Sequence, residues 1–472
     1  MGRRNVLDSF RAGGWKTALA LAFILVLAGF FRLPELGRDS VWGDEGVSWM
    51  QASAGFADML RQTAGDNYPP LHNILLWVTM RLAGAGEAAL RLPSALAGMA
   101  TILAVFALGR ELGGTRAGLF AALALAVMPL EIVQSRNARM YTLFSLTATL
   151  YLWSAARQAG RGSRINAVLG GLAALAMLYA HTFGILVFAA TSAAMAAATA
   201  RARGSRRAAH ALWLGWQAAA LVLFAPWLLV LAGRARTLAE TGFWPKPRDV
   251  AWLGETALTL LPAPALALCG ATLAVAAALA VARRDPPATE ALVVAAGTAG
   301  ACLLAWLVSI AVLPVLVDRY FIFVTPAVLA LTGAALATPS LPRIAPILAG
   351  LALALSSAPQ AWKAFAEPGI HRDYRAAAFR QAQYSFPGET VSVFPGFTVG
   401  AFLYYGGGGA SPPRVLAGIV PGPDSGRVWY VVPNNRPGWL DALKNANAKA
   451  GREPEYSFAF HELWLHSFVD AQ

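Results

Sequence analysis

Residues 67–86 read NYPPLHNILLWVTMRLAGAG. The apolar part, 71–86, is one of twelve apolar runs in the chain. Whether it crosses a membrane sets the orientation of every element that follows. The other runs lie at about 16–31, 91–109, 116–131, 140–156, 165–181, 183–200, 208–232, 257–282, 290–313, 320–337 and 343–358. Most of them run for roughly 17–25 residues, enough to span a hydrocarbon core. Cytoplasmic loops of membrane proteins carry an excess of Lys and Arg. Arg3, Arg4, Arg11 and Lys16 therefore place the N-terminus inside. If 71–86 crossed, three basic loops would lie outside: Arg157/Arg161/Arg164, Arg201/Arg203/Arg206/Arg207 and Arg283/Arg284. If it lies along the outer surface, all three fall inside, together with Arg110, Arg116 and Arg343. The run starts at Pro69-Pro70, is short, and is broken by His72, Asn73 and Arg81, as befits an interfacial or re-entrant helix.

The expected architecture is an α-helical polytopic membrane protein with about eleven transmembrane helices and surface helices in the first outer loop. Its membrane part covers 1–358 and a small α/β domain covers 359–472. The N-terminal run lacks a small-residue cleavage site near Phe30–Pro34 and reads as a retained first span. The expected location is the inner (plasma) membrane, multi-pass, with a cytoplasmic N-terminus and a periplasmic C-terminal domain. Composition agrees: of 472 residues 57% are hydrophobic and 13% charged, against roughly 25% charged in an ordinary soluble domain. The net charge of +13 sits largely in loop arginines, which argues for membrane anchoring and against nucleic acid. Cys269 and Cys302 lie inside apolar runs and form neither a metal spacing nor a disulfide framework.

The outer segments hold the unusual polar residues. Asp44 and Glu45 sit in WGDEG (42–46), about a dozen residues after the first run. They suit either a catalytic carboxylate at the membrane surface or the acidic cap of a short helix. His72 follows the two prolines. Arg91 opens the run at 91–109. In EIVQSRNARMYTLF (131–144), Arg136 and Arg139 interrupt two apolar runs on the side where arginine is disfavoured. They need a buried carboxylate or a bound phosphate. His181 in YAHTFG and Arg319 in VDRYFIF stand at run ends on the same side, and Arg234 and Arg236 add positive charge. Acidic residues in one outer loop facing arginines from several others make the pattern of a base beside an anionic substrate.

Taken in order, these segments resemble the GT-C glycosyltransferases, in particular the group related to protein mannosyltransferases and lipopolysaccharide aminoarabinose transferases, which use polyprenyl-phosphate sugars. The resemblance rests on Asp44-Glu45, Pro69-Pro70-Leu71, RLPSAL (91–96) with GREL (109–112), ARMY (138–141), Tyr179 with His181, and Arg319-Tyr320 with Pro326. It runs from about residue 15 to 358. It implies surface helices in the first outer loop, Asp44 as general base beside Glu45, and Arg139 and Arg319 near the lipid phosphate. Arg136 and Arg91 are further candidate phosphate ligands. Tyr68, His72, Tyr141, His181 and Tyr320 are candidate substrate contacts. Two departures matter: Tyr68 precedes Pro69-Pro70 where the family often has His, and Asn137 precedes Ala138-Arg139 where it often has Glu.

The implied reaction transfers a sugar from a polyprenyl-phosphate donor to a glycan, lipid or protein acceptor on the extracytoplasmic side, with inversion. No cofactor is required, although Asp44, Glu45 and Asp66 offer oxygens to a divalent cation. The competing reading is a transporter or flippase of a lipid or lipid-linked sugar. It would place its site at mid-membrane with internal repeats, and the chain shows none. In the tail, helices are expected at 371–383, 399–407 and 437–451, and strands at 389–395, 427–433 and within 456–469. The tail reads as a lid or acceptor-docking module rather than a second enzyme. The glycines at 406–409 carry no phosphate-binding fingerprint, and His461 and His466 fall in a strand or loop.

Overall fold

A computed structural model describes residues 14–471 except 243, 244, 246, 284–286, 368–371, 387, 388, 407–413, 418–425 and 434–436. Arg3, Arg4, Arg11, Arg284 and Gly407–Gly409 lie outside the described residues. Helix α1 (Trp15–Arg32) is followed by three short helices, α2 (Gly43–Ser53), α3 (Phe56–Ala64) and α4 (Leu71–Ala83). Helix α4 falls on the run that decided the topology. Its 13 residues rise about 20 Å, short of a roughly 30 Å hydrocarbon core. It buries His72, Asn73 and Leu76 and leaves Leu75, Val78 and Leu82 exposed.

Helix α5 (Glu87–Ala126) joins two of the apolar runs across a kink at Gly114, which has φ of 81° and ψ of −176°. That conformation suits glycine, so GREL-Gly113-Gly114 works as a tight reversal between two helices. The chain continues through α6 (Pro129–Ser135), α7 (Tyr141–Arg161), α8 (Arg164–Ala180), α9 (Gly184–Arg201) and α10 (Gly204–Thr241). Then come α11 (Ala251–Leu260), α12 (Ala263–Arg283), α13 (Thr289–Ala311), α14 (Val324–Leu336) and α15 (Ala345–Ala366). Six described helices are long and apolar enough to cross a membrane: α1, α5, α9, α10, α12 and α13. Small residues set the packing: a Cβ on Gly113 would meet Ala334 Cα at 2.6 Å, and one on Gly333 would meet the Ala117 carbonyl at 2.6 Å. Such contacts replace the hydrophobic drive that lipid cannot supply between helices.

Three boundaries differ from expectation. The run at 257–282 is two helices, α11 and α12, because Pro262 and Pro264 leave no room for continuous backbone bonding there. Helix α10 extends to Thr241, past the end of the run expected at 208–232. Helix α15 carries through Pro359 to Ala366, so it passes the expected domain boundary at 358 and delivers the chain directly to the tail.

The tail contains α16 (Tyr374–Tyr384), β1 (Thr390–Val393), α17 (Val399–Gly406), β2 (Arg414–Ala417), β3 (Val428–Pro433), α18 (Pro437–Lys449), β4 (Arg452–Phe460) and β5 (Leu463–Asp470). The sheet order is β2-β1-β3-β5-β4. β1 pairs parallel with β2 and β3, while β3-β5 and β5-β4 are antiparallel. β2 was not expected; its four residues RVLA are all partly or fully exposed and show no buried alternation. His466 lies in β5, and His461 in the turn before it.

The tail is clamped to the start of α2. A Cβ on Gly46 would lie 2.2 Å from the Ala401 nitrogen, and one on Gly400 would lie 2.5 Å from the Gly46 carbonyl. Only glycine lets α2 and α17 approach so closely. Tyr405 Oη accepts from the Val41 N–H at 2.8 Å. Arg375 donates to the Gly37 and Arg38 carbonyls at 3.0 and 3.2 Å and to Glu87 at 2.8 Å. Replacing Gly46 by Ala should therefore cost about 1–3 kcal/mol and loosen the tail. Limited proteolysis after Ala366 should be faster, and melting should fall. Gly215→Ala, whose Cβ meets nothing within 4 Å, should leave both unchanged to within about 1 kcal/mol.

Candidate active site

The first turn of α2 carries Asp44 and Glu45, and their side chains diverge. Glu45 turns inward and is 1% exposed. It accepts from Arg91 Nε at 2.8 Å and Nη2 at 2.7 Å, a bidentate pair with strong orientation. It also accepts from the Ala138 N–H at 2.8 Å and from the Trp42 N–H at 3.4 Å. Glu45 thus joins the first loop, the start of α5 and the ARMY segment, and its oxygens face protein donors rather than a substrate. This corrects its expected catalytic role.

Arg91 is corrected on the same ground. It is 2% exposed and spends its remaining donors on the Leu36, Asp39 and Ser40 carbonyls at 2.7, 2.9 and 3.1 Å. Arg136 is also taken up by backbone: it donates to the Pro34 and Glu35 carbonyls at 2.7 and 3.1 Å and lies 5.1 Å from the Phe365 ring centre. Arg91 thus has no donor left for a phosphate. It satisfies the Leu36 and Ser40 carbonyls, which would otherwise be buried without partners.

Asp44 turns the other way. Its side chain is 23% exposed, and Arg319 Nη2 stands 3.6 Å from its Oδ2. The short 3₁₀ turn Asp318–Phe321 aims Arg319. Its Nε donates to Tyr141 Oη at 2.7 Å, and neighbouring Asp318 accepts instead from Thr256 at 3.2 Å. Arg139 lies behind, 5% exposed. Its Nη1 donates to the Asp44 carbonyl at 3.1 Å and to Ser48 Oγ at 2.9 Å, while its Nε–H is buried without an acceptor. Burial disfavours the charge of both arginines, but Asp44 and the surrounding phenols outweigh it, so both stay cationic.

Aromatic rings make the floor. Tyr68 is hydrogen-bonded through its hydroxyl to that of Tyr320, and Tyr141 stacks on Tyr320 with ring centres 6.2 Å apart. His181 stacks on Phe144 at 4.7 Å and accepts from the Phe183 N–H at 3.1 Å. Tyr68 is partly exposed. His72 and His181 are 3% and 0% exposed, so they support Arg139 and Tyr320 from behind. His72 also lines a small cavity with Asp66, Tyr68 and Arg139. Tyr141 and Tyr320, at 0% and 4%, also lie beneath the surface formed by Asp44, Arg319 and Tyr68. Burial, reinforced by Arg139 and for His181 also by Arg319, pushes His72 down to about 4 and His181 down to about 3. Burial and the neighbouring phenols push Tyr68 up.

Several partners had no signal in the sequence. Thr182 donates to the Asn67 carbonyl at 2.6 Å, and Arg234 to Asn67 Oδ1 at 3.2 Å. Gln51 links Asp66 at 3.2 Å to Asn73 at 2.6 Å. These bonds fix the NYPP loop against the ends of α8 and α10. Asp44, Glu45 and Asp66 do not converge: Glu45 belongs to Arg91 and Asp66 to Gln51. Among the described residues no group of three His, Cys, Asp or Glu side chains is placed to hold a metal ion.

Two tests follow from this arrangement. Glu45→Ala strands a buried guanidinium, and so should lower stability by roughly 3–5 kcal/mol in a detergent melt. Asp44→Ala, at a partly exposed group, should lower it far less. The second test is acid stability. The folded chain keeps His72 and His181 neutral, while the unfolded chain protonates them below about pH 6.5. Stability should therefore fall as pH drops from about 6.5 towards 4, by up to ~1.4 kcal/mol per pH unit for each histidine. His72→Gln and His181→Gln should each flatten the melting-temperature profile over that window.

With this geometry in place, relatives can be compared. Residues 67–230 match the family model described as dolichyl-phosphate-mannose-protein mannosyltransferase. No curated protein matches. Among solved structures, ArnT from Cupriavidus metallidurans, in a crystal structure bound to undecaprenyl phosphate, superposes with a TM-score of 0.63 at 16% identity. The match covers 97% of this chain and 98% of that one. The Archaeoglobus fulgidus oligosaccharyltransferase superposes with a TM-score of 0.59 at 13% identity, over 95% of this chain and 74% of that one. The arabinofuranosyltransferase AftD from Mycobacteria gives 0.51 at 16%, over 98% and 42%. The likeness extends from the helical bundle into the tail, and the chain has the GT-C fold, an α-helical bundle with apolar membrane-length helices and a small C-terminal sheet domain.

Proposed function

We propose that the chain is a membrane glycosyltransferase that moves a sugar from a polyprenyl-phosphate donor to an acceptor hydroxyl or amine, with Asp44 as general base. The observation that carries this reading is the meeting of Asp44 with Arg319 at 3.6 Å on a partly exposed surface, with Arg139 directly behind. A lone carboxylate backed by two guanidiniums leaves a local excess of positive charge beside a base. That excess suits an anionic leaving group. The ArnT structure bound to undecaprenyl phosphate and the archaeal oligosaccharyltransferase in complex with dolichol phosphate support a lipid phosphate as that group.

Asp44 takes the acceptor proton as the acceptor oxygen or nitrogen attacks the anomeric carbon. The bond from that carbon to the phosphate oxygen breaks on the opposite face, which inverts the configuration. Polyprenyl phosphate leaves as an anion beside Arg319, with the buried charge of Arg139 behind it. No general acid is needed, because the leaving phosphate is already stable as an anion. Arg319 holds Asp44 in place; a phosphate competing for the same guanidinium would release the carboxylate to act on the acceptor. The site end of the bundle and the tail are read as facing away from the cytoplasm, at the plasma membrane. Asp44, Arg319 and the tail share one end of the helices, which suits acceptors reached outside the cell.

Asp44→Asn should lower kcat by about 10²–10⁴-fold in reconstituted membranes while retention of labelled polyprenyl phosphate stays near wild type. Arg319→Gln should weaken that retention as well as turnover. A flippase would still move lipid across vesicles in the Asp44→Asn variant. Movement of lipid without sugar transfer in the wild type would overturn the assignment.

A further inference from the structure

At the end of the bundle opposite Asp44, the structure contains a cavity of about 1160 Å³. Arg110 is 19 residues along α5 from Arg91, roughly 28 Å by helical rise, so this cavity is separated from the site by about the thickness of a hydrocarbon core. Four cations line it: Lys16 from α1, Arg110 and Arg116 from either side of the Gly114 kink, and Arg343 from the turn before α15. No carboxylate lines it among the described residues. Among the described residues no ion pair engages any of the four, and Lys16 has a ring contact with Trp15. The walls that rise from these cations are apolar, with Leu21, Leu119, Leu336 and Ile347. A second cavity of about 570 Å³ continues past Arg110 to Arg157 and Arg161, where Glu111 pairs with both arginines at 3.7 and 2.9 Å.

We infer that this cavity is a binding site for an anionic phospholipid, its phosphate held among Lys16, Arg110, Arg116 and Arg343 and an acyl chain along the apolar wall. Positive charge at this end of a membrane protein is ordinary. A concave arrangement of four cations from three separate elements, open to an apolar wall and lacking an acidic partner, is more than loop charge. It matches a head group with its tail attached, the chemistry that basic pockets between helices offer to anionic lipids. The Gly114 reversal serves the site as well, because it brings Arg110 and Arg116 to one rim although α5 changes direction between them.

Binding is read directly, without reference to sugar transfer. The full chain, purified in neutral detergent and delipidated, is titrated with phosphatidylglycerol, with phosphatidylcholine and with inorganic phosphate, and retained lipid is counted by native mass spectrometry. Wild type should retain phosphatidylglycerol in preference to phosphatidylcholine. The triple variant Arg110→Gln, Arg116→Gln, Arg343→Gln should weaken phosphatidylglycerol retention by at least about tenfold. The control triple Arg203→Gln, Arg206→Gln, Arg207→Gln removes equal charge from the same end but outside the cavity, and should change it by less than about twofold. A melt of both variants establishes that they are folded. Equal loss in the two triples would overturn the site in favour of diffuse surface charge. Unchanged retention in the cavity triple, or displacement of the lipid by millimolar phosphate, would overturn it too.

Discussion

A buried ion pair sets the geometry of the site. Glu45 and Arg91 are almost fully excluded from solvent; between them they hold the Trp42 and Ala138 amides and three loop carbonyls. A pair so buried gives up much hydration, and it is tolerated when nearly every donor and acceptor finds a partner. What it provides is position. The first loop, the start of α5 and the ARMY segment come from three separate parts of the chain, and this one carboxylate ties them together. With Glu45 turned inward, its neighbour Asp44 is turned outward, because adjacent residues on a helix point apart. The exposed carboxylate is a consequence of the buried one.

The site is then assembled from layers of decreasing accessibility. Asp44, Arg319 and part of Tyr68 form the accessible surface. Arg139 and Tyr320 lie beneath, and His72, His181 and Phe144 beneath those. The inner layers hold the outer ones to fixed rotamers, which is how a site keeps its geometry without a bound substrate. Keeping both histidines neutral by burial avoids adding further positive charge behind two arginines. The tail contributes from the other side: the Gly46–Gly400 contact presses α17 against the backbone of the residue two positions after Asp44. The sheet domain is thus a structural part of the site rather than an appendage.

The corrections share one cause. Arg91, Arg136, Arg139 and Arg319 all looked alike in the sequence, as arginines on the side of the membrane where arginine is disfavoured. Two of them neutralise loop carbonyls and a carboxylate, one straddles both roles, and only Arg319 faces outward beside Asp44. Nothing local distinguishes them, because their acceptors lie from about fifty to more than a hundred residues away: Leu36 for Arg91, Pro34 for Arg136, Tyr141 for Arg319. Glu45 was misread for the same reason, since two adjacent carboxylates are equivalent until a partner claims one. β2 left no pattern because a short exposed edge strand needs none.

What the amino-acid sequence determined by itself was everything governed by transfer from water to lipid and by local backbone chemistry. Run length and composition marked a chain of apolar membrane-length helices, and the two prolines at 69 and 70 marked the start of the short helix α4. The alternation of strands and helices in the tail was legible on the same terms. The tertiary structure alone decided which polar groups are spent on each other and which remain for chemistry. Burial and pairing are properties of contacts between distant segments, and a charge buried with a partner and a charge left facing the solvent read identically until the chain is folded.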